Sequence, residues 1–112
     1  TPLTVARAVL FNDATITPKG APVTDVVALA KFDLSAGTVL DGVGGFASYG
    51  VMENSPTARS QNLLPMGLSD GAVLKRDVAQ DTPLTFDDVD VPAGRLCDEL
   101  WREQCEAFPT IA

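Results

Sequence analysis

Apolar runs broken by Lys-x-Asp and by glycine set the rhythm of this chain. Residues 3–11, Leu-Thr-Val-Ala-Arg-Ala-Val-Leu-Phe, carry apolar side chains on most sides of a short helix. An element apolar nearly all round needs burial. Asn12-Asp13 is placed to end it, and residues 17–22, Thr-Pro-Lys-Gly-Ala-Pro, read as a linker with turn chemistry. Residues 23–34 follow with Val26, Val27, Ala28, Leu29 and Ala30 almost continuous. Such a run suits a strand buried on both faces, although periodicity alone also admits a helix segment. Flanking prolines and the turn residues of 33–37 favour the strand.

The middle of the chain is punctuated differently. Residues 41–71 hold six of the nine glycines. Gly42-Val-Gly-Gly-Phe-Ala47 matches a G-x-G-x-x-[G/A] dinucleotide fingerprint in letters. The physics of that motif requires a helix opening at its third position, whose amides meet the pyrophosphate. Here Ser48-Tyr49-Gly50-Val51-Met52 follows, which is strand-like, so bends between short strands explain the glycines better. Glu53 to Gln61 is the most polar stretch and reads as a surface loop. Within it, Arg59 is suited to bidentate pairing with a carboxylate or phosphate from elsewhere. Asn62 to Leu68 returns to the core, with Pro65 restricting it to an edge or a bulge. Thr85 with Asp88 three residues on predicts one capped helical turn. Asp87, Asp88 and Asp90 read as solvated turn charges, because no glycine-bearing calcium loop accompanies them. From Gly94 the pattern turns helical. Leu96, Cys97, Leu100, Trp101, Cys105 and Phe108 form one broad stripe that serves equally to pack on the core or to dock on another surface.

Across these elements runs a repeat. Lys31, Asp33, Thr38 and Leu40 recur as Lys75, Asp77, Thr82 and Leu84, and Leu34 answers Val78. Repetition at a fixed period marks a reused structural unit. Each copy reads as a short strand, Lys-x-Asp, a tight turn at Ala36-Gly37 or Gln80-Asp81, and a second short strand. The aspartate side chain suits the turn entrance by bonding N–H groups two residues on. Gly37 takes φ > 0 at low cost, and Asp81 is one of the few residue types able to replace it.

Composition narrows the function classes. A chain of 112 residues holds one domain with a modest core. Its 15 acidic against 8 basic residues give a net charge of −7. That field repels phosphate backbones and anionic lipid, so neither nucleic acid nor a membrane surface is an expected partner. No window is apolar enough to span a bilayer and no secretion signal is present, which fits a cytoplasmic protein. Cys97 and Cys105, on one helix, stand roughly 12 Å apart in rise, beyond disulfide reach. Reduced thiols are expected. With no histidine, Cys–His metal sites and Ser–His or Cys–His nucleophiles are excluded within this chain. No catalytic, cofactor-binding or metal residue is assigned. Tyr49, Asn54, Arg59, Asn62 and Trp101 are the candidate ligand or interface residues.

The motifs together resemble a known family. A-K-x-D-L-x-A-G-T-V-L and the later L-K-R-D-V-x-x-x-T-x-L-T-x-D-D-V look like a SAF domain of the β-clip fold. Leu10–Pro18, Leu40–Gly45, Asn62–Gly67 and Pro92–Leu96 are similar to the tail of homoserine-dehydrogenase-like NAD(P)-dependent oxidoreductases. The resemblance implies a mainly β fold with short helices, a β-clip, and a C-terminal amphipathic helix. Residues 1–22 are then the end of a preceding domain plus linker, 23–93 the SAF-like domain, and 94–112 the C-terminal helix and tail. It implies an accessory role: packing on an upstream catalytic domain of the same chain, supporting a homo-oligomer, or closing part of a cleft. NAD(P) belongs to the parent enzyme and no catalysis to this segment; the chain opening on Thr1 fits such a fragment. Asp81 departs from the family's glycine and implies a looser turn. The alternative is a sugar- or sugar-acid-binding module like those of sialic acid synthases and sugar-acid dehydratases, with a cleft lined by Tyr49, Asn54, Arg59 and Asn62.

Overall fold

The two repeat copies are wound through each other, and this interlock organises the fold. A computed structural model describes residues 1–18 and 20–109; Lys19 of the linker and the tail after Pro109 lie outside the described residues. Helix α1 spans Pro2–Phe11. Strand β1, Thr24–Ala30, pairs antiparallel with β2, Ser48–Asn54, in a register that sets Thr24 opposite Asn54 and Ala30 opposite Ser48. Helix α2, Ser55–Ser60, follows directly. The short strands β3, Val73–Leu74, and β4, Val89–Asp90, form a second antiparallel sheet. Helix α3, Leu96–Ala107, comes last. The fold therefore has two small antiparallel sheets with short helices. Helical residues outnumber strand residues among those described, so the expected strand dominance is absent from the count.

The hydrogen bonds show how the copies meet. Leu34 and Val78, equivalent in the repeat, exchange both N–H···O bonds at 2.8 Å. Ala30 N–H donates to the Thr82 carbonyl, and its counterpart Leu74 N–H donates to the Thr38 carbonyl. Gly37 N–H donates to Leu74 and Asp81 N–H to Ala30. Each bond has a partner related by the repeat, which defines a local pseudo-dyad. The turn residues take the expected backbone: φ is +87° at Gly37 and +62° at Asp81. The aspartates act differently from expectation. Asp33 accepts the Gln80 N–H and Asp77 accepts the Ala36 N–H, each at 2.8 Å, so each caps the turn of the other copy. The reciprocal main-chain pairing at Leu34 and Val78 brings each turn beside the opposite Lys-x-Asp, and leaves its own aspartate facing away.

This arrangement makes a prediction. Asp33→Ala and Asp77→Ala each delete one side-chain–backbone bond of the same kind, so each is expected to cost about 1 kcal/mol. Urea unfolding checks it. Equal losses support the pseudo-dyad, and a large loss at only one position contradicts it.

The core lies inside the interlock. Ala28, Leu40, Leu64, Leu74 and Leu84 are almost wholly buried, with Leu34 and Val78 beside them. A smaller cluster of Val27, Ala58 and Leu63 sits under α2. Asp88 is also buried, contrary to its reading as a solvated turn charge. It closes the expected capping box with Thr85 and pairs with Arg76. Burial pushes its carboxyl up, but the bonds from Arg76 and Thr85 outweigh this and hold it below the ordinary carboxylate value.

The ends of the chain are less engaged. Helix α1 forms as its apolar run predicts and stops at Asn12, which adopts the left-handed conformation. None of its residues is buried; Leu3, Val9, Leu10 and Phe11 are 71–79% exposed. Its only side-chain ion pair joins Arg7 to Asp13. The radius of gyration, 16.9 Å, exceeds the about 13 Å expected of a compact chain this long. The polar stretch 53–61, read as a loop, contains α2 instead. Pro56 fixes a helical φ in its first turn, and small Ser55 and Ala58 face inward, so a helix forms without an apolar stripe.

Candidate functional site

A cleft between α2 and α3 gathers three of the five candidate residues. It encloses about 370 Å³ and is lined by Ala58, Arg59, Asn62, Leu63, Phe86, Trp101, Cys105 and Pro109. Local sequence explains each wall. Helix α2 ends at Gln61, and Asn62 turns the chain with φ +54°. The Leu63 N–H then bonds the Ala58 carbonyl, which folds the chain back beneath the helix. The capped turn Phe86–Asp88 sets Phe86 against this corner, its N–H on the Asn62 carbonyl at 3.0 Å. Asn62 Nδ2 donates to Asp87 at 3.3 Å, which orients the amide.

The opposite wall is set by Arg95. Its Nε and Nη2 donate to the two oxygens of Asp98 at 2.7 and 2.8 Å. Nη1 and Nη2 also reach the carbonyls of Asp70 and Leu68. This fork fixes the start of α3 and its rotation. As a result Asp98, Trp101, Gln104 and Cys105 face the body, while Leu96 and Leu100 are 67% and 54% exposed. The broad stripe expected of α3 is thus split. Trp101 packs on the core, whereas Leu96 and Leu100 face solvent.

Arg59 joins the walls. Its guanidinium lies over the Trp101 ring, 5.7 Å from the centroid, and Nη1 donates to the Phe108 carbonyl. Nε and Nη2 are buried and have no hydrogen-bond partner among the described residues. Sequence reasoning missed Phe86 and Cys105 as lining residues. The capping box at Thr85 was a signal for Phe86, since it fixes where the next side chain points.

The other two candidates lie elsewhere. The Tyr49 hydroxyl donates to Asp81 at 2.7 Å, which ties β2 to the second-copy turn and raises the tyrosine pKa. Asn54 caps the start of α2 without a side-chain bond and borders a separate shallow hollow with Ala21, Pro22 and Val23.

The glycine segment forms no phosphate cradle. The Asp41 carboxylate accepts the N–H groups of Phe46 and Ala47 at 2.6 and 3.0 Å. Those two bonds hold its pKa below the usual carboxylate range. The amides are therefore engaged within the loop, and strand β2, not a helix, follows them. Gly45 permits this closure, because a Cβ there would meet the Asp41 carboxyl at 2.3 Å. Among the described residues no group of three metal-ligating side chains occurs, and no helix is long and apolar enough to cross a membrane. Cys97 is exposed and Cys105 half-buried, both free thiols on α3. No protein-family model matches the chain, and a search of curated proteins finds no match.

Proposed function

We propose that this chain is an accessory, SAF-like β-clip module of an NAD(P)-dependent oxidoreductase similar to homoserine dehydrogenase. Its role is to pack on an upstream catalytic domain and to support a homo-oligomer in the cytoplasm, with NAD(P) held by that domain. The observation that carries this reading is α1, an apolar helix with no buried residue. Isolated helices of ten residues are marginal in water, so tertiary packing must supply their stability. Leu96 and Leu100 on α3 add exposed apolar surface of the kind that marks interaction sites.

The natural gene product tests it. The reading expects a polypeptide extending well upstream of Thr1, able to bind NAD(P)H and to assemble into an oligomer. Within it, the α1 amides are expected to be protected from hydrogen exchange. A gene product that binds no dinucleotide, or whose α1 amides exchange freely in the assembled protein, overturns it.

A further inference from the structure

Strand β2 has one edge without a neighbour, since its sheet contains only β1 and β2. Ala28 and Ala30 of β1 direct their N–H and carbonyl groups to Leu64, Leu84, Thr82 and Asp81, away from β2. The ladder is therefore carried by the odd-numbered pairs, from Asp25–Glu53 to Leu29–Tyr49. Alternation then turns the N–H and carbonyl groups of Ser48, Gly50 and Met52 to the far side. None of these has a main-chain partner among the described residues. Ser48 is buried at one end, and at the other the Glu53 side chain accepts the Asn54 N–H. The free span is Gly50 to Met52. Met52 is 72% exposed, and Val26 and Val51 beside it also face solvent. The strand carries no lysine, proline or bulge, the devices that keep an edge from pairing.

We propose that this edge pairs antiparallel with the same edge of a second molecule of the chain, about a twofold axis at Val51. Gly50 and Met52 then exchange both hydrogen bonds with Met52 and Gly50 of the second molecule. The span is self-complementary in this register alone. An axis at Gly50 sets Met52 against buried Ser48, and an axis at Met52 sets Gly50 against Asn54, whose N–H is already taken. With the axis at Val51, the one charge of the strand, Glu53, faces neutral Tyr49 and not another carboxylate. Valine meets valine on the axis. Met52 of the second molecule stands over Gly50, where Val26 Cγ1 lies 2.7 Å from the place of a Cβ and offers an apolar floor. The pairing supplies the contact for the homo-oligomer of the reading above and rests on that part of it alone.

Sedimentation of the chain from about 20 μM to about 1 mM is expected to show monomers passing to dimers, as a contact this short belongs with weak interfaces. Over the same range, amide exchange at Gly50 and Met52 is expected to slow by about threefold or more. Val51→Lys sets like charges against each other on the axis and is expected to weaken association by about tenfold or more. Cross-linking fixes the register, in a chain carrying Cys97→Ser and Cys105→Ser to remove the free thiols. Val51→Cys is expected to oxidise to a disulfide dimer, because the Cα atoms of such an opposed pair lie about 4.5 Å apart. Met52→Cys stands about 8 Å from its counterpart and is expected to cross-link about tenfold less. Matching circular dichroism spectra establish that the variants are folded, and the exchange measurement needs no variant. A chain still monomeric at about 1 mM overturns the pairing. So does a dimer whose Gly50 and Met52 amides exchange as in the monomer, association unchanged by folded Val51→Lys, or equal cross-linking through Met52→Cys and Val51→Cys. Dinucleotide binding by the natural gene product is untouched by any of these results, so failure of the pairing and failure of the accessory role are told apart.

Discussion

Leu84→Ala is expected to remove about 2–5 kcal/mol of stability, the range for emptying a fully buried leucine site. Leu84 is 0% exposed and sits where both copies and the 62–68 segment meet. Its N–H bonds the Ala28 carbonyl and its carbonyl accepts the Leu64 N–H, so the backbone is held on both sides. A site fixed in that way cannot collapse around the cavity, which places the cost in the upper half of the range. At about 4 °C per kcal/mol for a chain of this length, the melting temperature is expected to fall by about 14–20 °C. Leu40→Ala, the repeat-related change, should behave alike. Leu100→Ala, on the solvent side of α3, should shift stability by less than about 0.5 kcal/mol. A loss at Leu84 no larger than at Leu100 would remove the core from where the fold places it.

Asp88 carries the second large effect. Its side chain is 3% exposed, while that of Arg76 is 65% exposed. Removing the carboxylate leaves arginine free to hydrate, so Asp88→Ala costs less than a wholly buried pair would. The lost capping box and the small cavity still bring the expected cost to about 1–3 kcal/mol. The pH dependence has a definite sign. Because the folded pKa lies below the ordinary value of 3.8, the unfolded state binds protons first as pH falls. The stabilisation is therefore complete above about pH 5 and is lost progressively as pH falls through 3.8 toward the lower folded value. Stability measured between pH 6 and about pH 2 should be flatter for Asp88→Asn than for the natural chain. Identical slopes would show that the charge of Asp88 contributes nothing to the fold. Asp41 titrates in the same direction from an exposed position and remains in both proteins.

Much of this architecture was legible in the residues. The repeat placed positive φ at Gly37 and Asp81, and the departure from glycine at Asp81 cost no turn, because aspartate tolerates the left-handed region. Thr85 and Asp88 announced their capping box, and the apolar run ending at Asn12 announced α1. What stayed hidden is long-range. Two similar segments do not reveal that each pairs with the other, so Asp33 and Asp77 read as local caps when they serve across the interlock. Helix α2 has six residues and no stripe, too few for periodicity to register. The rotation of α3 follows from Arg95, which grips Asp98 within the helix start while bonding the Leu68 and Asp70 carbonyls of the body, and with it Trp101 faces inward and Leu100 outward. Of the candidate site, Arg59, Asn62 and Trp101 converge, whereas Tyr49 and Asn54 serve other parts of the chain. Residue type pointed to recognition chemistry, but only the tertiary arrangement showed which residues share a cleft.

The interlock itself is open to direct observation. Scalar couplings transmitted through hydrogen bonds connect an amide nitrogen to the carbonyl carbon it bonds. In the labelled protein they are expected from Leu34 to Val78 and from Val78 to Leu34, with the matching pair from Ala30 to Thr82 and from Leu74 to Thr38. Couplings that instead join each of these amides to carbonyls of its own copy would contradict the account.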